Sequence, residues 1–304
     1  MNIGRSYIKN SRCLVAGGNG FIGSRVVDFL LDNSAKEIVI VGQGASRIKD
    51  TRVRYVLCDL AKDESIETIK DLGAFDYVFN LIGVTDQRMP HPNPVELFNA
   101  NVRTLVHLTQ AIAWKNVRGA VHVGSNAEYG SQSLPHHEDL KPLPTNMYGW
   151  SKECASSYAI IMATSSFARW CVARPFFVYG PGKQTGLIPE LIKTLSDGET
   201  FTMQSASTRD PVYVDDVAEA LIRLAACPRA MGEIVNICGG KEISIRKIGE
   251  IIKRNIGKGE IIFTLKGRVG DMPRSFGSVK KLKALTRWSP RTSLSEGLKS
   301  IIQS

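Results

Sequence analysis

Tyr148 and Lys152 stand four residues apart in Tyr148-Gly149-Trp150-Ser151-Lys152. On a helix that spacing puts both side chains on one face, roughly 6 Å apart along the axis. A lysine ammonium beside a phenol is expected to lower the phenol's pKa from its ordinary value near ~10. Tyr148 can then act as general base in an oxidation and general acid in a reduction. Ser125 follows the apolar run Ala120–Val123, where its hydroxyl could hold the substrate oxygen that Tyr148 protonates.

A second segment supplies the partner chemistry. Gly17-Gly18-Asn19-Gly20-Phe21-Ile22-Gly23 closes an apolar run and opens an amphipathic one. Glycines 18, 20 and 23 satisfy GxGxxG in the strand-to-helix context that the motif needs. Such a turn lets the backbone approach a pyrophosphate and offers it the free N–H groups of a helix amino end. A bound dinucleotide would move a hydride while Tyr148 moves a proton.

These residues need elements to position them. Apolar runs at Cys13–Ala16, Ile38–Val41, Tyr55–Cys58, Tyr77–Ile82, Ala120–Val123 and Cys171–Ala173 read as strands buried on both faces. Amphipathic stretches at Ile22–Leu31, Ser65–Asp71, Val95–Trp114 and Tyr148–Ser166 read as the helices between them. The β-α-β-α order predicts an α/β fold, a doubly wound parallel Rossmann sheet. After Pro175 the pattern loosens. Helices at Leu187–Leu195, Val217–Ala226, Ile245–Ile256 and Leu294–Ile302 alternate with strands near Phe201–Met203, Ile234–Ile237 and Ile261–Thr264. Residues 10–175, with returning segments near 206–238, are expected to form the dinucleotide-binding domain. Residues 176–205 and 239–304 are expected to form a smaller C-terminal α/β substrate lobe.

The second strand decides the cofactor expectation. It ends in Gly42-Gln43, where an acidic residue would bind the adenosine ribose. A carboxylate there would repel a 2′-phosphate, so its absence favours NADP(H) while NAD(H) stays possible. Arg47, with Ser46, could contact that phosphate; it could equally be a solvated loop arginine. Asp59-Leu60 after the third strand is placed to meet the adenine, or to cap a helix.

Composition narrows the rest. The 304 residues suffice for one large core or a core plus a lobe. No apolar run reaches the ~18 residues of a spanning helix, so no membrane role and a cytoplasmic location are expected. Six scattered cysteines lack any CxxC pair and read as reduced thiols. His136-His137-Glu138 sits between prolines with no second ligand cluster, so a metal is not expected. The net charge of +10 suits a polyanionic small ligand held by a few placed arginines. A nucleic-acid surface is disfavoured, since basic residues are not interleaved with aromatics.

The chain resembles the extended short-chain dehydrogenase/reductases, the nucleotide-sugar epimerase, dehydratase and ketoreductase group. The likeness runs from about Arg12 to the end. It rests on Gly17–Gly23, Gly124-Ser125-Asn126-Ala127-Glu128-Tyr129-Gly130, Tyr148–Lys152, Ala173-Arg174-Pro175-Phe176, the run from Arg209 to Asp216, and Trp288-Ser289-Pro290. The resemblance implies catalytic roles for Ser125, Tyr148 and Lys152. It implies cofactor contacts from Gly17, Gly20, Phe21, Ile22, Gly23, Asp59, Leu60, Tyr148, Lys152 and Pro175. Substrate contacts are implied for Thr85, Ser125, Asn126, Phe177, Arg209, Arg268 and Asp271, with Arg209, Arg268 and Asp271 gripping a nucleotide diphosphate or its ribose. It also implies a homodimer through the helices at Val95–Trp114 and Tyr148–Ser166, although Trp114 could equally be core.

Three departures shape the function. Asn126-Ala127 replaces the Asp-Glu pair of the 4,6-dehydratases, which removes the acid and base for water elimination. Phe177 replaces an asparagine that contacts substrate. Asn80-Leu81-Ile82-Gly83 replaces a His/Asn-Ala-Ala run, and Ile82 is expected to narrow the nicotinamide end. An NADPH-dependent reductase of a nucleotide-activated 4-keto sugar is favoured over a 4-epimerase that holds NAD tightly. A non-catalytic dinucleotide- or RNA-binding member is the third reading, disfavoured by the intact Ser125/Tyr148/Lys152 set.

Overall fold

The computed structural model describes residues 8–44, 48–85, 87, 91–265 and 272–303. Its centre is a parallel seven-stranded sheet. In chain order the strands are β1 (Arg12–Ala16), β2 (Glu37–Gly42), β3 (Val53–Leu57), β4 (Tyr77–Asn80), β5 (Gly119–Val123), β6 (Trp170–Pro175) and, later, β11 (Ile234–Ile237). Their spatial order is β3-β2-β1-β4-β5-β6-β11. The order reverses between β1 and β4, and ligands of such sheets bind outside the carboxyl ends at that switch point.

The consecutive apolar residues have a simple cause. Cys13 and Val15 of β1, with Ile38 and Ile40 of β2, face one core. Leu14, Ala16, Val39 and Val41 face another. Alternate side chains point to opposite faces of a sheet, so a strand buried on both must be apolar throughout. The first core is closed by helix α1 (Phe21–Asp32), through Val26, Val27 and Leu30, and by Val217, Leu221 and Leu224 of a later helix. The second is closed by α2 (Ser65–Lys70), by Leu105 and Leu108, and by Ala155 and Ala159.

The expected helix at Val95–Trp114 is broken. It comprises α3 (Pro94–Phe98), a π turn at Asn99–Arg103 and α4 (Thr104–Ala111). Asn93 caps α3 by accepting the Glu96 N–H at 3.1 Å. The widened turn accompanies a buried Asn101 whose side chain bonds away from the helix, to both backbone groups of Val84. Trp114 lies in a short 3₁₀ turn beyond α4, its ring 5.2 Å from that of core residue Trp170. The Tyr77–Ile82 run is strand only to Asn80, where the side-chain oxygen of Asn80 takes up the Ile82 N–H. Helix α5 (Met147–Thr164) matches expectation and is capped by Asn146.

Beyond β6 come β7 (Phe177–Tyr179), α6 (Leu187–Ser196), β8 (Thr200–Gln204), β9 (Thr208–Arg209), β10 (Pro211–Tyr213) and α7 (Val214–Ala225). After β11 follow β12 (Ile243–Ser244), α8 (Ile245–Ile256), β13 (Glu260–Thr264), α9 (Lys280–Thr286) and α10 (Leu294–Gln303). Strands 7 and 10, 9 and 12, and 8 and 13 pair as three two-stranded sheets. A third core, including Leu191, Leu195, Met203, Ile248, Ile252 and Leu298, holds this part together. None of the six cysteines is bonded to another. Among the described residues no helix is long and apolar enough to cross a membrane.

Candidate active site

The chain turns sharply where β1 ends. Gly17 has φ +82°, and the Gly20 N–H closes the turn on the Gly17 carbonyl at 3.0 Å. A Cβ at Gly23 would lie 2.1 Å from that same oxygen, so no larger residue fits there. Phe21, Ile22 and Gly23 form the first turn of α1, which has neither a side-chain cap nor an acidic residue. Its first N–H groups therefore carry neither a side-chain cap nor a neighbouring acid, as a bound phosphate requires.

That cleft has a volume of about 770 Å³. Gly17, Gly20, Gly42, Asp59, Leu60 and Gly83 are among the residues lining it. Asp59 accepts the Ala61 N–H at 3.0 Å and so also shapes its own turn. Gly42 ends β2 as expected. Arg47 and Ser46, expected at a ribose phosphate, lie outside the described residues. The glycine cradle and the uncapped helix end fit a dinucleotide.

Ser125, Tyr148 and Lys152 come together. Each is at least nine-tenths buried, and the Ser125 hydroxyl is near enough to the Tyr148 phenol to lower its pKa. Lys152 Nζ donates to the Val123 carbonyl at 3.0 Å. The electrostatic expectation needs correction. Burial pushes the Tyr148 phenol up to about 12, and the nearby Ser125 hydroxyl only partly offsets it. Burial also pulls Lys152 down to about 8. The lysine serves a strand-end carbonyl, and desolvation outweighs any help it gives the phenol.

Four neighbours were given no role from the sequence. Asn101 Nδ2 donates to Ser151 Oγ at 2.9 Å and to the Val84 carbonyl at 3.1 Å. A Cβ on Gly83 would lie 2.6 Å from Lys152 Nζ and 2.9 Å from Asn101 Oδ1, so Gly83 leaves room for both. Glu128 Oε1 accepts the Ser125 N–H at 2.7 Å, and Arg174 Nε donates to Glu128 Oε2 at 2.7 Å. The signal for Glu128 was present: serine followed three residues later by glutamate is a capping box.

The expected substrate residues are less concentrated. Asn126 Nδ2 donates to Ser275 Oγ at 2.9 Å, tying the strand-end loop to the segment before α9. Arg209 Nη1 donates to the carbonyls of Thr208 and Met272. Phe177 is half-buried at the start of β7, Thr85 is exposed after β4, and Pro175 ends β6. Arg268 and Asp271 lie outside the described residues. In the His136-His137-Glu138 segment, His136 is buried with its ring stacked on Tyr129, and Glu138 accepts the Asn236 N–H. Among the described residues no cluster of metal-ligating side chains occurs.

The family model for the NAD dependent epimerase/dehydratase family matches residues 13–238. The chain belongs to that family. It is thus an enzyme of the extended short-chain dehydrogenase/reductases, as the motifs implied. The UDP-glucuronate 4-epimerase of Thermodesulfobacterium geofontis is 29% identical, with 95% of this chain and 94% of the relative aligned. Two solved structures superpose closely. UDP-glucose 4-epimerase from Thermotoga maritima, with UDP-glucose, has a TM-score of 0.87 at 25% identity, covering 96% of this chain and 97% of that one. MoeE5 in complex with UDP-glucuronic acid and NAD has a TM-score of 0.85 at 28% identity, covering 96% and 98%.

Proposed function

We propose that this family member carries out NAD-linked oxidation and reduction at the 4-carbon of a UDP-sugar, with 4-epimerisation as its net reaction. One observation carries the reading: Ser125, just past the end of β5, and Tyr148 are buried together beside a lysine held on that strand's last carbonyl. When bound, NAD accepts and returns a hydride. Ser125 and Tyr148 hold the sugar oxygen between them, and Tyr148 exchanges its proton. Lys152 and Asn101 hold the nicotinamide ribose side of the site, with Gly83 leaving space for them. Asn126-Ala127 offers no carboxylate to remove water, so dehydration is not part of the proposal.

The named relatives support epimerisation, and MoeE5 with bound NAD supports NAD. The NADP preference expected from Gly42 gains no support from these relatives. A second reading, reduction of a 4-keto sugar, is favoured by one feature: burial raises the Tyr148 pKa and so favours the protonated phenol that a reduction uses.

In this proposal residues 10–175, with returning segments near 206–238, carry the dinucleotide. Residues 176–205 and 239–304 carry the nucleotide sugar, with Phe177 and Arg209 among its contacts. A homodimer is proposed through α3 and α5, where Val95, Phe98, Trp150 and Ile161 are exposed and the Phe98 and Trp150 rings lie 5.8 Å apart. NAD and UDP-sugars as reactants fit a cytoplasmic location. The test is to denature the purified protein, identify any released dinucleotide by mass spectrometry, and follow UDP-glucuronate and UDP-glucose by NMR. Inversion at the 4-carbon without net cofactor change supports the epimerase. Consumption of NADH or NADPH only with a 4-keto sugar supports the reductase instead.

A further inference from the structure

Lys183 lies in the loop between β7 and α6 and is half-buried. Its ammonium donates to the Val178 carbonyl at 2.8 Å. It stands 5.4 Å from the ring centroid of Phe21 and 6.0 Å from that of Phe177. Among the described residues no carboxylate forms an ion pair with it. One carbonyl and two aromatic faces solvate a cation only in part, and burial lowers its pKa below the ordinary lysine value. Phe21 is the first residue of α1, whose amino end is uncapped and has no acid in its first turn. The ammonium thus stands beside the side chain of the residue that opens this uncapped helix, where the helix dipole is positive.

We propose that Lys183 is a diphosphate-binding residue, its ammonium taking a phosphate oxygen of a ligand bound at the amino end of α1. The ligand is the dinucleotide's pyrophosphate or the diphosphate of the sugar nucleotide, since Phe21 borders the first and Phe177 is proposed for the second. The proposal rests on the function proposed above, because both ligands come from it.

The test is calorimetric titration of wild type, Lys183→Met and Lys183→Arg with NAD, UDP, adenosine and uridine. Lys183→Met should weaken NAD or UDP by roughly ten-fold or more, and Lys183→Arg should recover most of that. A loss confined to NAD assigns Lys183 to the dinucleotide; a loss confined to UDP assigns it to the sugar nucleotide. Unchanged NAD and UDP binding in Lys183→Met, or equal weakening of the phosphate-free nucleosides, overturns the role of Lys183 and leaves the proposed function standing. A wild-type protein that binds neither diphosphate overturns both. Should Lys183→Met not fold, amine methylation of wild type followed by peptide mass spectrometry decides instead. Protection of Lys183 by NAD or UDP but not by the nucleosides supports the proposal, and equal labelling in all cases refutes it.

Discussion

Arg174 and Glu128 form an ion pair of 2.7 Å with side chains only 1% and 0% exposed. The other carboxylate oxygen holds the Ser125 N–H, so the pair fixes the backbone that presents the Ser125 hydroxyl. The guanidinium also lies 4.5 Å over the Tyr129 ring. Removing one partner strands a buried charge, at a cost of about 3–5 kcal/mol. Glu128→Val should therefore lower stability by that order, measured by urea denaturation. Glu128→Val combined with Arg174→Leu should regain much of it without regaining kcat, because Ser125 stays unanchored. Recovery of both would show the pair to be structural only.

Tyr148→Phe should reduce turnover by ~10²–10⁴, the usual worth of a positioned proton donor. Melting temperature and NAD affinity should stay near wild type. Retention of more than a tenth of wild-type kcat on the true substrate would remove Tyr148 from the acid/base role.

Much of this site was legible because its signals are local. The glycine turn, the Tyr148/Lys152 spacing and the two-faced apolar strands each occupy a few consecutive residues. Lys152 misled because four-residue spacing says that two side chains share a face, not what else competes for the ammonium. Full burial, with the nearby Glu128 charge, reversed the expected shift of Tyr148, while the ammonium is bonded to the Val123 carbonyl. Asn101 was missed because its partners, Val84 and Ser151, come from a loop and another helix. The π turn that carries it has the same apolar pattern as an α-helix. Strands as short as β9 and β12 hold too few residues to show any period.

Gly83→Ala should impair catalysis while leaving the fold intact. The added methyl would reach 2.6 Å from Lys152 Nζ and 2.9 Å from Asn101 Oδ1, and both side chains must move. Displacement of a catalytic group by about 1 Å can cost ~10²-fold in rate. Steady-state kinetics should show a lower kcat with little change in the urea midpoint. Wild-type kcat would mean that Lys152 tolerates a different position.

Lys152 predicts a pH dependence of stability. Its folded pKa of about 8 lies below its ordinary value of 10.5. Between those values the unfolded chain binds the extra proton, so this group makes stability rise with pH across that window. Lys152→Met removes the term. The stability of wild type relative to Lys152→Met should therefore increase from pH 8 to 10.5, followed by denaturant titration at each pH. A constant difference would mean that Lys152 titrates alike in both states.

Gly42→Asp tests the adenosine end of the cleft. Gly42 ends β2 with ordinary backbone, and a Cβ there meets only Gly17 N, at 4.0 Å. The position therefore has room for the carboxylate that Gly42 lacks. Placed there, it can accept from the two ribose hydroxyls of NAD and must repel a 2′-phosphate. Gly42→Asp should strengthen NAD several-fold and weaken NADP at least ~10-fold, as one like-charge contact of ~1.4 kcal/mol would give. Calorimetry with both cofactors reads the two changes independently. If NADP affinity does not fall, the ribose lies away from the end of β2, and Gly42 has no part in choosing the cofactor.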